Sequence, residues 1–197
     1  TKKVLILSSS LRPNSNSEQL AREAGRGAVE AGHDVEVSAW PAGTSAIAKA
    51  AWLVTAALLP IQDDANDLIK KVQEADVVVF ASPIYYYDIC GQLKTFLDRT
   101  NPLYGQPYRS VIFTYYRIGR RRAGHGKTGR IDARCWICCF DKARYAGGFN
   151  AGGMSEANVA GTHPEWMQKA YELENLFDNF TVITHRLLII YSAGGFA

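Results

Sequence analysis

The first 89 residues contain no cysteine, and the whole chain of 197 has four: Cys90, Cys135, Cys138 and Cys139. Four cysteines so placed make no disulfide framework, and a reduced, cytoplasmic setting is expected. Long hydrophobic runs are also missing. The longest apolar stretch, residues 46–59 (AIAKAAWLVTAALL), carries Lys49 and is too short to cross a membrane. No secretory leader is expected, since Lys2 and Lys3 lead straight into the first strand-like run. A large excess of one charge is lacking too. The net charge of +3 does not by itself call for nucleic acid as a partner. Two nucleotide motifs fail as well. There is no G-x-G-x-x-G after the first strand-like run. The stretch GHGKTG (124–129) resembles the end of a P-loop, but the position that needs the first glycine is Arg121 and no strand immediately precedes it.

What is present is the patterning of one globular domain, 1–197, at 47% hydrophobic and 21% charged residues. Residues 4–7 (VLIL) form a continuous apolar run, expected of a parallel strand buried on both faces. Leu20, Ala24, Ala28 and Ala31 recur at helical spacing before Gly32. Val35 and Val37 begin a second strand. Asp63 and Asp64 open a helix with Leu68, Ile69 and Val72 on one side. Residues 75–81 (ADVVVFA) are the strongest strand signal, Leu93, Phe96 and Leu97 follow as a helical face, and residues 111–115 read as a fourth strand. Thr162 to Glu165 (THPE) has the form of a capping box, ahead of a helical face at Trp166, Ala170, Leu173 and Phe177. This alternation predicts an α/β fold, a doubly wound parallel sheet with helices on both faces. Residues 38–61 and 117–145 lack clear periodicity.

The stretch SSSLRPNSNSE (8–18) is the first candidate site. It holds five serines, two asparagines and an arginine between a strand and a helix. In open α/β sheets ligands sit beyond the carboxyl ends of the strands. There the next helix offers N–H groups and the positive end of its dipole, and Ser and Asn side chains add donors. Ser10, Arg12, Asn14, Ser15, Asn16 and Ser17 together suit a phosphate. The alternative is an extended N-cap in which Ser15 and Glu18 form a capping box, although a cap uses only two of these side chains. The second candidate is SPIYYY (82–87), where Tyr85, Tyr86 and Tyr87 suit a flat aromatic ligand, or else pack the core or a subunit interface.

With both stretches in view, the sequence resembles the NADPH-dependent FMN reductase branch of the flavodoxin-like superfamily, which includes small flavin, quinone and azo-dye reductases and iron–sulfur flavoproteins. The resemblance rests on KKVLILSSSLRPNSNSEQLA, on DDANDLIKKVQEADVVVFASPIYYYDICGQLKTFLDR and on AGGMSEANVAGTHPEWMQKAYEL, in that order and over about half the chain. It implies a five-stranded parallel sheet in the order 2-1-3-4-5. It also implies FMN as cofactor and NAD(P)H as co-substrate. Ser10, Arg12, Asn14, Asn16 and Ser17 would hold the phosphate. Pro83, Ile84, Tyr85, Tyr86 and Tyr87 would border the isoalloxazine. Thr114, Tyr115 and Tyr116 would form a third flavin loop, while Asp98 and Arg99 would make structural contacts. No side chain is required as an obligate catalytic acid or base, since the flavin carries the chemistry. The implied activity passes hydride or electrons to a quinone, azo compound, flavin or similar small acceptor. The implied assembly is a homodimer or homotetramer, with residues 46–59 as an interface candidate. Neither a membrane, nucleic acid nor a metal is implied. A non-enzymatic flavin electron carrier and a flavin-free module on the same fold are the competing readings; the absence of strong acidity weighs against the carrier.

Three departures stand out. The family loop reads Ser-Gly-Ser, whereas Ser9 stands where the glycine would be. Iron–sulfur relatives carry a cysteine cluster between the second strand and the next helix, which this chain lacks; Cys135, Cys138 and Cys139 do not restore it and read as inert thiols. Residues 117–145 and the closing TVITHRLLIIYSAGGFA depart from the family pattern. The first of these segments holds seven basic residues between Arg117 and Arg134 against Asp132 alone. That run reads as a solvated loop first, and otherwise as a receiver for the 2′-phosphate of NADPH or, with less support, for nucleic acid. Residues 117–145 are a divergent insertion or the product of a shifted reading frame. Peptide mapping with intact mass decides between them, and peptides matching the segment as written exclude the frame shift.

Overall fold

The computed structural model describes residues 1–39, 64–85, 88–100, 103, 145–154, 156, 158–178 and 186–193. Val4, Leu5, Ile6 and Leu7 are all buried in β1 (Lys3–Ser8), as a strand covered on both faces requires. β2 (Asp34–Ala39) and β3 (Val77–Tyr85) flank it in parallel, with Val4 opposite Val35 on one side and Val77 on the other. Between them come α1 (Asn16–Glu30) and α2 (Asp64–Glu74). After β3 a two-residue strand, β4 (Asp88–Ile89), folds back antiparallel on Ile84 and Tyr85, and α3 (Gly91–Arg99) follows. The remaining described strands and α-helices are β5 (Tyr145–Ala151), α4 (Pro164–Tyr171), the single turn α5 (Asn175–Asp178) and β6 (Arg186–Ala193), with 3₁₀ turns at Ala160–Thr162 and Glu172–Glu174.

Alternation along the strands divides the core in two. Val4, Ile6, Val77 and Val79 face Leu20, Ala24 and Ala28 of α1 together with Ala170, Leu173 and Phe177. Leu5, Leu7, Val78 and Phe80 face Leu68, Ile69 and Val72 of α2 and Leu93, Phe96 and Leu97 of α3. Helices therefore cover both faces of a parallel sheet, as the patterning predicts. The helical faces fall where the spacing places them. Ala31 alone among the named positions is exposed, as the C-cap of α1, and Gly32 follows it with a φ of 84°.

Three local expectations change. β3 continues through Tyr85, so Ser82, Pro83, Ile84 and Tyr85 belong to the strand rather than to a loop; pairing with β4 and β6 extends it. The capping box at Thr162 does not form. A 3₁₀ turn, Ala160–Thr162, engages the Thr162 hydroxyl with the Val159 carbonyl at 2.7 Å. α4 begins instead with Pro164 at its first position, where a missing N–H costs nothing. Finally, the sheet runs β2-β1-β3-β6-β5, with β4 off this path. Among the described strands, the one beside β3 is thus the last in sequence. Its sequence, RLLIIYSA, has the apolar run that an interior parallel position demands. The fourth-strand candidate 111–115 and the interface candidate 46–59 lie outside the described residues.

α1 and α4 cross closely at Gly27. A β-carbon there would lie 2.0 Å from the Tyr171 carbonyl oxygen. Beside this crossing the Tyr171 hydroxyl donates to Glu30 at 2.7 Å, and the Arg26 guanidinium lies 4.4 Å from the ring centroid. The hydroxyl's hydrogen bond, with Arg26 adding to it, lowers the Glu30 carboxyl from its ordinary value; the same hydrogen bond and the Glu30 charge push the phenol up, against the pull of Arg26. Because the obstruction at Gly27 is backbone, Gly27→Ala is expected to destabilise the fold by about 1–3 kcal/mol. Urea denaturation measures this, and an unchanged midpoint would show that the helices separate freely.

Candidate functional site

β1 and β3 are neighbours and run in the same direction, so their carboxyl ends open side by side, with Ser8 opposite Ala81. Strand order reverses here: β1 leads through α1 to β2 on one side, while β3 lies on the other. Such a reversal opens a crevice between helices on opposite faces. The Ser9 amide donates to the Ala81 carbonyl at 2.9 Å and carries the pairing one step past the strand.

The loop after β1 is shaped by its own side chains. Asn14 takes a φ of 50°, a left-handed conformation that asparagine tolerates better than most residues. The Ser15 amide closes a turn on the Arg12 carbonyl, and the Ser10 hydroxyl accepts from the Arg12 amide at 3.3 Å. Ser15 is the N-cap of α1, its hydroxyl accepting from the Glu18 amide at 3.1 Å. That half of the expected capping box is present, while the Glu18 carboxylate turns to Arg22 at 2.6 Å.

Asn16 is committed elsewhere. Its side-chain oxygen accepts from the amides of Val159 and Ala160 at 2.8 and 3.0 Å, and its amide donates to the Glu156 carbonyl at 2.7 Å. Gln19 makes a second tie, donating to the Asn14 carbonyl and to Asn158 and accepting from the Gly161 amide. The predicted residues therefore separate by burial. Ser15, Asn16 and Ser17 are buried, whereas Arg12 and Asn14 are exposed and Ser10 is half-buried. No carboxylate among the described residues pairs with the Arg12 guanidinium. The stretch 8–17 contains no acid at all. An exposed cation, a hydroxyl and a helix N-terminus without a nearby free carboxylate fit a phosphate group.

On the second strand, Pro83 is buried, Ile84 half-buried and Tyr85 39% exposed at the rim. Tyr86, Tyr87, Thr114 and Tyr115 lie outside the described residues, as do Tyr116 and the three clustered cysteines. Asp98 and Arg99 have the structural roles expected of them. Asp98 pairs with Lys94, and the buried Arg99 donates to Asn66 at 3.1 Å. A groove of about 480 Å³ between α1 and β2, lined by Arg22, Arg26, Val29 and Val37 among others, takes in Ser8 and Glu18 from the two ends of the first candidate stretch and none of the residues predicted to hold a phosphate. Among the described residues, no group of His, Cys, Asp and Glu is arranged to hold a metal, and no helix is long and apolar enough to cross a membrane.

Residues 2–125 match the family model described as NADPH-dependent FMN reductase. The chain belongs to this family. The FMN reductase family is one of FMN-dependent, NAD(P)H-using oxidoreductases with a flavodoxin-like fold. Within it the chain is similar to an iron–sulfur flavoprotein of Methanocaldococcus jannaschii, at 31% identity over 64% of this chain and 66% of the relative. It is also similar to an iron–sulfur flavoprotein of Archaeoglobus fulgidus, at 35% identity over 36% of this chain and 34% of the relative. The chain thus spans just under two thirds of the first relative and about a third of the second. Among solved structures, an NAD(P)H:quinone oxidoreductase from Methanothermobacter marburgensis shares the fold, with a TM-score of 0.50 and 20% identity over all of this chain and 86% of the other.

Sequence reasoning missed the ties from Asn16 and Gln19 to residues 156–161, and a buried cluster of Ser9, Ser82 and Cys90. Their partners lie from 8 to 144 positions apart, beyond any local periodicity. Replacing Asn16 with alanine strands two backbone donors, so Asn16→Ala is expected to lower the stability of the flavin-free protein by about 2 kcal/mol. Thermal unfolding without added flavin measures it. A stability equal to that of the unmodified protein would return Asn16 to a purely ligand-directed role.

Proposed function

We propose that this chain is an FMN-dependent NAD(P)H oxidoreductase that passes electrons to a small acceptor such as a quinone, azo compound or flavin. The observation that supports this most is the acid-free, Arg12-bearing loop at the N-terminus of α1, beside the end of β3. Ser10, Arg12, Asn14 and the first turn of α1 are assigned to the phosphate, with Ser15, Asn16 and Ser17 holding that turn in place. Pro83, Ile84, Tyr85, Tyr86 and Tyr87 are assigned to the border of the ring, and Thr114 and Tyr115 to a third contact. Backbone donors within 84–87 are assigned to stabilise negative charge on the ring. Bound FMN supplies the hydride and electron chemistry between NAD(P)H and the acceptor. In this reading the chain is one cytoplasmic flavodoxin-like domain, with five parallel strands in its sheet and a dimeric or tetrameric assembly. Because the cysteine cluster described for iron–sulfur relatives is missing from residues 1–89, electrons are expected to leave the flavin directly for the acceptor.

The first test is an absorption spectrum of the purified protein after mixing with FMN and gel filtration. Retained flavin bands, together with NADPH oxidation that follows ping-pong kinetics in the presence of a quinone, are the expected result. A colourless protein that releases all added FMN refutes the reading. Arg12→Ala is expected to weaken FMN binding about 10-fold, the usual scale for a lost charge-assisted hydrogen bond, and to leave riboflavin, which lacks the phosphate, unaffected. Fluorescence titration with both ligands separates the two, and an equal loss for both would move Arg12 away from the phosphate.

A further inference from the structure

Three buried polar side chains meet beneath the two loops. Ser9 and Ser82 are fully buried and Cys90 is 1% exposed. Cys90 is the N-cap residue of α3, yet its side chain makes no capping hydrogen bond. The thiol instead lies 3.2 Å from the Ser9 hydroxyl and 3.5 Å from the Ser9 carbonyl. The Ser9 hydroxyl donates onward to the Ala81 carbonyl at 3.1 Å. On the other side the Cys90 amide donates to the Ser82 hydroxyl at 3.2 Å, and that hydroxyl donates to the Pro83 carbonyl at 2.9 Å.

Each hydroxyl and the thiol has one proton to give; taking the shorter contact of each orders the cluster, with the Ser82 hydroxyl also 3.5 Å from the thiol. One chain runs from the Cys90 thiol through Ser9 to the Ala81 carbonyl. The other runs from the Cys90 amide through Ser82 to the Pro83 carbonyl. Both begin at Cys90 and both end on β3. One residue thereby ties the start of the first loop to the end of β3 and to the N-terminus of α3.

Ser9 occupies the position where the family pattern has glycine. The described non-glycine residues with positive φ are Asn14 and Asn158, so Ser9 bears no left-handed strain. Its side chain nonetheless adds a buried hydroxyl, and a buried hydroxyl needs partners. Ala81 and Cys90 supply them.

We propose that Cys90 is a positioning residue that fixes the separation between the loop at 9–15 and the strand end at 82–85 before any ligand arrives. The proposal rests on the flavin reading of those two segments, since their separation would set the distance between the phosphate and ring ends of the site. Preorganisation of this kind raises affinity by removing the cost of ordering on binding.

Two measurements test it. In the flavin-free protein, Cys90→Ala is expected to raise hydrogen exchange in peptides covering 9–18, about eighty positions away in sequence, as well as around residue 90. Ser9→Ala, approached from the other end, is expected to raise exchange over 82–95. In the flavin titration, Cys90→Ala is expected to weaken FMN binding about 10-fold, while Cys90→Ser, which keeps a donor, stays within about 3-fold. The double variant Ser9→Ala/Cys90→Ala is expected to be no weaker than the worse single variant, as coupled groups require. Exchange over 9–18 that is unchanged in Cys90→Ala overturns the proposal, as does an equal loss of FMN affinity in Cys90→Ala and Cys90→Ser. If the unmodified protein binds no FMN, the functional reading fails, and the exchange experiment still decides whether Cys90 holds the two segments together.

Discussion

The parallel pairing of β1 with β3 is the constraint on which the rest depends. It puts Ser8 beside Ala81, so the loop at 9–17 and the strand end at 82–85 leave the sheet at the same edge. Helix placement follows from the same pairing. Residues of one parity, Val4, Ile6, Val77 and Val79, face α1, and those of the other, Leu5, Leu7, Val78 and Phe80, face α2 and α3. A slip of one residue in either strand would exchange these sets and set large side chains against the wrong helices. Burying a Val, Leu or Phe side chain contributes about 1.5–3 kcal/mol, so eight such positions hold the register firmly. The crevice between the two loops is thus maintained by apolar residues that never touch it.

Within the first loop, burial separates two kinds of polar residue. Ser15, Asn16 and Gln19 use their side chains on backbone groups, from the first turn of α1 to the turn at 156–161. Asn14 contributes through its backbone, which turns the chain by adopting the left-handed region. What remains at the surface is a short rim from the half-buried Ser10 through the exposed Leu11, Arg12, Pro13 and Asn14. A stretch that reads as uniformly rich in donors is in fact mostly scaffold, with a small exposed part available to a ligand. The scaffold matters to the ligand nonetheless, because a phosphate-binding turn works only if its N–H groups already point in one direction.

Much of the architecture was legible because it is written in local periodicity. The unbroken run at 4–7, the run at 77–80 and the 3.6-residue spacing of Leu20, Ala24 and Ala28 each report a burial state that the structure shows. The two candidate loops were legible because each follows such a strand. Choice of neighbour is a different kind of information. RLLIIYSA reads as a strand but carries no mark saying that it pairs with β3, and its place beside β3 followed from the sheet alone. Thr162 matched a capping pattern, yet it ends a 3₁₀ turn in which its hydroxyl donates to the Val159 carbonyl, and Pro164 started the helix without it. Residue pairs such as Asn16 with Ala160 are separated by 144 positions, so no window along the chain contains both.

Ser9 shows how a departure from a family pattern should be weighed. A glycine in a tight turn is needed for one of two reasons, a positive φ or lack of space for a side chain. The first does not hold here, since the left-handed residue of the loop is Asn14. The second is met by giving the side chain something to do: its hydroxyl lies between the Ala81 carbonyl and the Cys90 thiol. A valine or alanine at position 90 would take the thiol away and leave that hydroxyl bonded to the Ala81 carbonyl alone, with its acceptor side unused in a buried position. A glycine at position 9 would leave the thiol two longer contacts, the carbonyl of residue 9 and the Ser82 hydroxyl, both at 3.5 Å. Ser9 and Cys90 are therefore one feature of the fold, seen in the sequence as two unrelated oddities: a serine in place of a glycine, and the first cysteine to occur in the chain.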